Sequence, residues 1–307
     1  MEDRDLVIVG GGPAGLTAGL YAARARLNPL LLEQLSPGGQ VLNTDWVENW
    51  PGDVEGVSGF DLADRMRDHA LKFGLEIQSL EVTSLATDGP WKLLSTPKGE
   101  FRAKAVILCV GASPSRLGIP GEADFVGKGV SFCGTCDGPF YRDQEVAAIG
   151  GGNTAAEEAN FLTKFASKVY LIHRRDQLRA DGILAERVLA NDKIEVLWSH
   201  VPLAVEGGPQ GVQSLRLKDL KNDREFSLPI SGAFVFVGIA PNTAFLADII
   251  DLNDHGFINI GPEQATNLAG VFAAGDCCSK MLRQIVVAAG EGAVAAVSAQ
   301  HYLEEYP

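Results

Sequence analysis

The chain has 307 residues, 46% apolar and 21% charged, the composition of a soluble globular protein long enough for about two domains. A formal net charge of −13 argues against a nucleic-acid or anionic-membrane surface, both of which need a basic face, and no apolar run approaches the roughly 18 residues that span a bilayer. Five cysteines, an odd number with one tight pair, suit a reducing compartment, and the opening MEDRD reads as no secretory signal, so a cytoplasmic location is expected.

In chain order, DLVIVG is a short, β-branched apolar run ending in glycine, which predicts a buried strand. Gly10, Gly12 and Gly15 follow in GxGxxG spacing, with Pro13 and Ala14 between, and AGLTAGLYAARARL predicts a helix. NPLLLEQ then reads as a second strand, closed by Glu33, 23 positions after Gly10. Glycines allow a tight turn and close approach of a pyrophosphate to free amides at the helix start, and the carboxylate suits ribose hydroxyls. A glycine turn with no ligand is the plain alternative; the strand before, the helix after and Glu33 weigh against it. Residues 103–112, AKAVILCVGA, predict another buried strand, ending at Gly111 and Ala112. The Pro/Gly-punctuated SPSRLGIPGE after it marks a domain boundary.

The strand–glycine–helix–strand order then recurs, 140 positions on, in EVAAIGGGNTAAEEANFLTKFASKVYLIHRRDQLR. Gly150 and Gly152, with Asn153, Thr154 and Ala155, have GxGxxA spacing. The same offset of 23 now lands on His173, which opens a cluster with Arg174, Arg175 and Arg179. Runs of charge are usually solvated surface. In so acidic a chain, three arginines at the ribose-reading position favour guanidinium clamping of a 2′-phosphate, hence NADP over NAD. GAFVFVGIAPNT at 232–243 predicts a buried strand ending in a Pro-Asn turn, where a second boundary falls. GVFAAGD gives one more strand and loop, and an amphipathic small-residue pattern runs from Arg283 to the end.

Between the two cradles lies CGTCDG, with Cys133 and Cys136 in CxxC spacing and Asp137 next to them. Such a loop can close a reversible disulfide, and Asp137 is placed to protonate a released thiolate. Half of a zinc site and two inert buried cysteines are the alternatives; the first lacks further ligands, and the second fits poorly with a turn-rich segment. NADPH delivers a hydride, so a second dinucleotide, FAD in the Glu33 cradle, is expected to relay both electrons to the disulfide.

GGGPAGLTAGLYAARA, GGQ at 38–40, VENWPG at 47–52, CGTCDG, GGGNTAAEEA, HRRDQLR, and GVFAAGD with RQ at 283–284 together resemble the low-molecular-weight thioredoxin reductases, over essentially the whole chain. The resemblance implies an NADPH- and FAD-dependent homodimer that reduces thioredoxin. It implies an α/β fold of two Rossmann-like dinucleotide-binding domains. The NADPH domain, 114–242, carries the CxxC pair and is inserted in a discontinuous FAD domain, 1–113 and 243–307. It further implies that Cys136 faces the flavin, Cys133 attacks the partner's disulfide, and Asp137 is the acid. Gln40 and Asn49 are expected near the flavin, Arg283 with Gln284 by the isoalloxazine, and Asp276 on the ribityl–phosphate portion; Gly111, Ala112, Gly275 and Ile285 are further expected cofactor contacts. Arg174, Arg175 and Arg179 are implied to hold the 2′-phosphate. Cys277 and Cys278 depart from the family pattern and, like Cys109, are expected to fill space in the core, a secondary redox pair being the alternative. No metal site is expected. Related folds draw electrons from ferredoxin or a second flavin, or take another protein disulfide; the intact basic cluster argues against another donor. A flavin-binding redox sensor without turnover is the remaining reading.

Overall fold

In the computed structural model, which describes residues 2–306 apart from 45, 46 and 48 and excludes the side chains of 43, 135 and 136, the N-terminal apolar run forms β1 (Glu2–Val9). After the first glycine turn come α1 (Pro13–Arg24) and β2 (Leu30–Glu33). Next are α2 (Gly59–Lys72), capped by the Ser58 side chain accepting from the Asp61 amide, and β3 (Glu76–Ser79). Three strands with tight connections follow: β4 (Ser84–Asp88), β5 (Trp91–Thr96) and β6 (Gly99–Leu108). The strand expected at 103–112 thus starts earlier and stops at Leu108; Gly111, at φ +64, breaks it before β7 (Ala112–Pro114).

Beyond β7 lie β8 (Val130–Ser131), α3 (Gly134–Asp137), β9 (Glu145–Gly150), α4 (Asn153–Leu162) and β10 (Lys168–His173). They continue into α5 (Gly182–Leu189) and β11 (Ile194–Trp198). Strands β12 (His200–Gly208), β13 (Gly211–Asp219), β14 (Arg224–Pro229) and β15 (Gly232–Phe236) come next. The run at 232–243 is split at Gly238, at φ +123, so β16 (Ile239–Pro241) is separate. The chain closes with β17 (Val271–Ala273) and α6 (Ile285–Glu305).

Two compact units result, Met1–Ser113 with Ala240–Pro307, and Pro114–Ile239. In the first, a seven-stranded sheet runs β3-β2-β1-β6-β5-β4, with β17 also on β6. Strand β6 is long enough to serve two neighbours: residues 99–103 pair antiparallel with β5, and residues 106–108 pair parallel with β17. Helices α1 and α6 cover one face, packing Ala14, Ala18 and Ala22 with Ala288, Ala295 and Ala299 over Leu6, Ile8, Leu31 and Ile107. Each of those buried Leu and Ile side chains contributes about 1.5–3 kcal/mol. The small residues let the helix backbones approach: a Cβ on Gly292 would fall 2.1 Å from the Ala14 carbonyl oxygen.

The second unit has a five-stranded parallel sheet, β11-β10-β9-β15-β8, and an antiparallel sheet, β12-β13-β14. Its buried residues form two clusters, one centred on Leu162, Leu171 and Phe234, the other on Ile149, Leu215 and Leu217. Both units place a glycine turn where the first strand of a parallel pair passes into a helix, so a helix start opens at the carboxyl end of the sheet in each. Among the described residues, no helix is long and apolar enough to cross a membrane.

Candidate active site

The first cradle is built where β1 ends. Gly10 has φ +103, and a Cβ there would lie 2.2 Å from the Cys109 carbonyl oxygen, so only glycine fits between the strands. A Cβ on Gly15 would meet the Gly10 carbonyl oxygen at 1.8 Å, which fixes how closely the helix follows the turn. Gly12 is the N-cap of α1 and offers no side-chain cap; Pro13 follows at the helix start, then Ala14. The free amides there form an anion site. Glu33 reaches back to the loop, accepting from the Gly11 amide at 2.6 Å through Oε2 and from the Leu35 amide at 2.8 Å through Oε1. A carboxylate has about four acceptor positions, so capacity remains for ribose hydroxyls.

Several distant residues converge in the same unit. Asn49 Nδ2 donates to Gln284 Oε1 at 3.0 Å across 235 residues of sequence. Gln284 is the N-cap of α6, which begins at Ile285. Gln40 is exposed in the short turn after Gly39, and the Gly111 carbonyl accepts from the Asn242 amide beside Ala112. Arg283 lies over the Phe257 ring at 4.1 Å, with its Nε buried and unpartnered. Asp276 is half-buried, and its Oδ1 is buried without a partner. Burial raises its pKa above the ordinary carboxylate value, against the pull of Lys280 and Arg283. A buried acceptor without a donor is costly, so a ligand hydroxyl or amide is what this turn lacks. The uncapped helix start, the carboxylate at the end of β2 and the orphaned Asp276 oxygen fit FAD. Glu48 of the VENWPG run lies outside the described residues.

The second cradle sits where β9 meets α4. A Cβ on Gly150 would come 2.4 Å from the Phe236 carbonyl oxygen, and Gly152 is an N-cap with no side-chain cap. Asn153 leaves the cap role and bonds Asp181 instead, accepting from its amide at 2.9 Å and donating to Oδ2 at 2.7 Å; Thr154 is exposed beside it. Arg174, Arg175 and Arg179 are exposed, and none makes an ion pair among the described residues. The Arg179 amide donates to the Gly151 carbonyl at 2.7 Å, which ties the basic run to the loop. His173 differs from the arginines beside it: it is 4% exposed, packed edge-on to Trp198 and directly under Gly151. Burial, helped by Arg179 and Arg175, pushes it below the ordinary histidine value, so the ring is neutral at pH 7. An uncapped helix start beside three unpaired guanidinium groups fits a phosphorylated nucleotide such as NADPH.

The thiol segment follows β8. Cys133 is disulfide-bonded, its amide donates to Ser131 Oγ at 3.1 Å, and its carbonyl accepts from the Asp137 amide at 3.3 Å. The side chain of Cys136 lies outside the described residues. Asp137 is half-buried, and after burial its charge is what raises the Tyr141 hydroxyl. Cys109, Cys277 and Cys278 are free and buried, with the Cys277 and Cys278 sulfurs 4.0 Å apart. Burial holds Cys109 well above the ordinary thiol value; the bond from Cys277, then burial, does so for Cys278. Among the described residues, no group of three or more His, Cys, Asp or Glu could hold a metal ion.

Two acidic residues escape sequence reasoning. Glu158, on α4, lies beneath the thiol segment: a Cβ on Gly134 would fall 2.2 Å from its Oε2, so the glycine between the cysteines is the residue this packing admits. Glu291, on α6, accepts from the Gly275 amide at 2.9 Å and pairs with Lys280. Its signal was available, for it is the one acidic residue in the stretch from Ile285 to Leu303.

Residues 4–292 match the pyridine nucleotide-disulphide oxidoreductase family. A bifunctional thioredoxin reductase/thioredoxin of Mycobacterium leprae is 44% identical over 98% of this chain, which spans 66% of that relative's length. A thioredoxin reductase of Mycolicibacterium smegmatis is 43% identical, covering 98% of this chain and 97% of its own. Among solved structures, a Lactococcus lactis thioredoxin reductase superposes with a TM-score of 0.93 at 39% identity, covering 98% of this chain and 99% of its own. With both glycine cradles and the thiol segment in place, the chain belongs to the pyridine nucleotide-disulphide oxidoreductases, within their thioredoxin reductase branch.

Proposed function

We infer that the protein is an NADPH-dependent thioredoxin-disulfide reductase. One observation carries this reading: the same offset from two glycine turns reaches Glu33, hydrogen-bonded to its loop, in one unit, and in the other the buried His173 that opens a run with three unpaired arginines. The unit of Met1–Ser113 with Ala240–Pro307 holds FAD, and Pro114–Ile239 holds NADPH and the redox pair. FAD held in the first unit would supply two-electron chemistry between a nicotinamide hydride and a disulfide. Gly10, Gly12 and Gly15 seat its pyrophosphate, Glu33 its ribose, and Asp276 a hydroxyl through the orphaned oxygen. Asn49, bonded to Gln284, and Arg283, held on Phe257, border the ring. Arg174, Arg175 and Arg179 clamp the 2′-phosphate, and His173 sets the loop from below.

Opening the Cys133–Cys136 bond consumes two electrons; Cys133 then attacks the partner's disulfide, and Cys136 displaces it as the Cys133–Cys136 bond re-forms. Asp137 donates the proton that a leaving thiolate needs. Phe140, 76% exposed three positions after Asp137, stands at a cavity of about 460 Å³ lined also by Lys128, Tyr141 and Gln213. An exposed aromatic beside the redox segment suits a thioredoxin-like protein as partner. Homodimeric assembly belongs to the same reading, supported by Val286, Val294 and Val297, each 42% exposed on α6. The buried free thiols suit a cytoplasmic setting.

The test is anaerobic titration of the flavin-loaded protein, following flavin absorbance. NADPH bleaches the flavin at stoichiometric amounts, whereas NADH does so only at concentrations at least about a hundredfold higher, the scale of two lost charge-assisted contacts. Arg174→Ala with Arg175→Ala removes most of that preference. A flavin that dithionite or ferredoxin reduces but NADPH does not would defeat the reading.

A further inference from the structure

The turn after β17 is held from one side by a buried ion pair. Lys280 Nζ contacts Glu291 Oε2, with the two side chains only 9% and 15% exposed. The same oxygen accepts the Gly275 amide at 2.9 Å. Gly275 in turn abuts α1, since a Cβ there would lie 2.9 Å from the Ala14 Cβ, and Gly292 touches the Ala14 backbone. The carboxylate therefore ties the turn carrying Asp276 to the middle of α6, and Gly275 and Gly292 pack both against the start of α1. No other side chain among the described residues bonds the Gly275 amide.

The charges explain why a pair is needed. Asp276 is half-buried with an unpartnered oxygen, and Glu291 is a second, largely buried carboxylate acting on it. Without Lys280, the two would repel across the turn, and an isolated buried charge is far costlier than a paired one. With Lys280 on Glu291, the Asp276 oxygen stays available for a ligand donor.

We propose that Lys280 and Glu291 are positioning residues for FAD: they fix the Gly275–Asp276 turn in the conformation that accepts the flavin nucleotide. This rests on the reading of that turn as an FAD contact. Neither residue touches the nucleotide in this proposal; both act through Gly275 and Asp276.

The experiment titrates apo-protein with FAD and follows quenching of flavin fluorescence, with far-UV circular dichroism of each apo-variant alongside. Glu291→Ala and Lys280→Met each weaken FAD binding about tenfold or more, the scale seen for outer-shell partners of a binding site. Lys280→Arg keeps the charge and stays within about threefold of wild type, and the neutral double change Lys280→Met with Glu291→Gln, which retains an acceptor for Gly275, recovers most of the loss. A purely structural role would not show that rescue. Single variants that bind FAD within about twofold of wild type overturn the proposal. Should they not fold, the double variant decides: weak FAD binding by a folded double variant overturns it too. Asp276→Ala, which removes the acceptor that an asparagine would keep, separates the two levels. If it binds FAD like wild type, the reading of the turn itself is wrong; if it binds weakly while Lys280→Met does not, only the proposed positioning falls.

Discussion

Glu158 shows how much one buried acid can depend on its surroundings. It sits under the redox segment with Oε2 buried and unpartnered, its carboxyl raised above the ordinary glutamate value by burial first. The Gly134 amide opposes that shift, and the neighbouring Glu157 charge adds to it. For a group whose native value lies above its unfolded one, stability is fully present below the unfolded value and lost as pH rises through the native one. The window therefore opens near the reference value of 4.5 and extends upward. Glu158→Gln keeps the shape and removes the titration. In urea unfolding at a series of pH values, wild type is expected to lose stability relative to Glu158→Gln as pH rises above that point. Parallel curves from acid to neutral pH would show that the Glu158 carboxyl does not titrate differently in the native state.

At the scale of elements, the joint between β9, α4 and β10 is the place where two distant segments lock one another. The buried, neutral His173 ring at the end of β10 fills the space beneath Gly151, and a Cβ there would lie 2.1 Å from its Cε1. Gly151→Ala must displace the imidazole or the loop, an overpacking that costs about 1–3 kcal/mol. Because the Arg179 amide bonds the Gly151 carbonyl, the shift reaches the basic run. NADPH affinity is expected to fall about tenfold or more by isothermal titration while FAD content is unchanged. Unaltered NADPH affinity would mean that the loop tolerates the methyl and His173 does not set it. The two strand–turn–helix units were legible because their spacing is local: glycines, helix start and offset of 23 lie within one stretch each. The antiparallel strands β4, β5 and β12 to β14 were not read, since their pairing is set by partners and not by a motif. Strand ends also slipped, at Gly111 and Gly238, where positive φ interrupts apolar runs that look continuous in sequence. In the site, Glu33 was legible by offset, and the arginines by their place just after His173 at the same offset. His173 was grouped with those arginines because sequence gives no burial, and Glu158 and Glu291 act across folds of the chain that no spacing reveals.

For the whole molecule, chain continuity distinguishes the two units more sharply than their similar glycine turns suggest. Residues 114–239 run without interruption and own both of their core clusters, the one around Phe234 and the one around Leu217. At 126 residues (239 − 113), this unit is of ordinary single-domain size. The other unit is assembled from two separated pieces: β17 completes the sheet on β6, and α6 covers Leu6, Ile8 and Ile107 together with α1. Residues 1–113 alone would expose that face and leave β6 paired on one side only at residues 106–108, where β1 remains and β17 is lost. A fragment of residues 114–239 is therefore expected to unfold cooperatively by circular dichroism and to be retained by immobilised 2′,5′-ADP. A fragment of residues 1–113 is expected to be aggregated or unfolded and to take up no FAD. Adding residues 240–307 through a short flexible linker restores FAD uptake, because the closing strand and helix then come from the same chain. A stable, FAD-binding 1–113 fragment would show that β17 and α6 decorate the first unit instead of completing it.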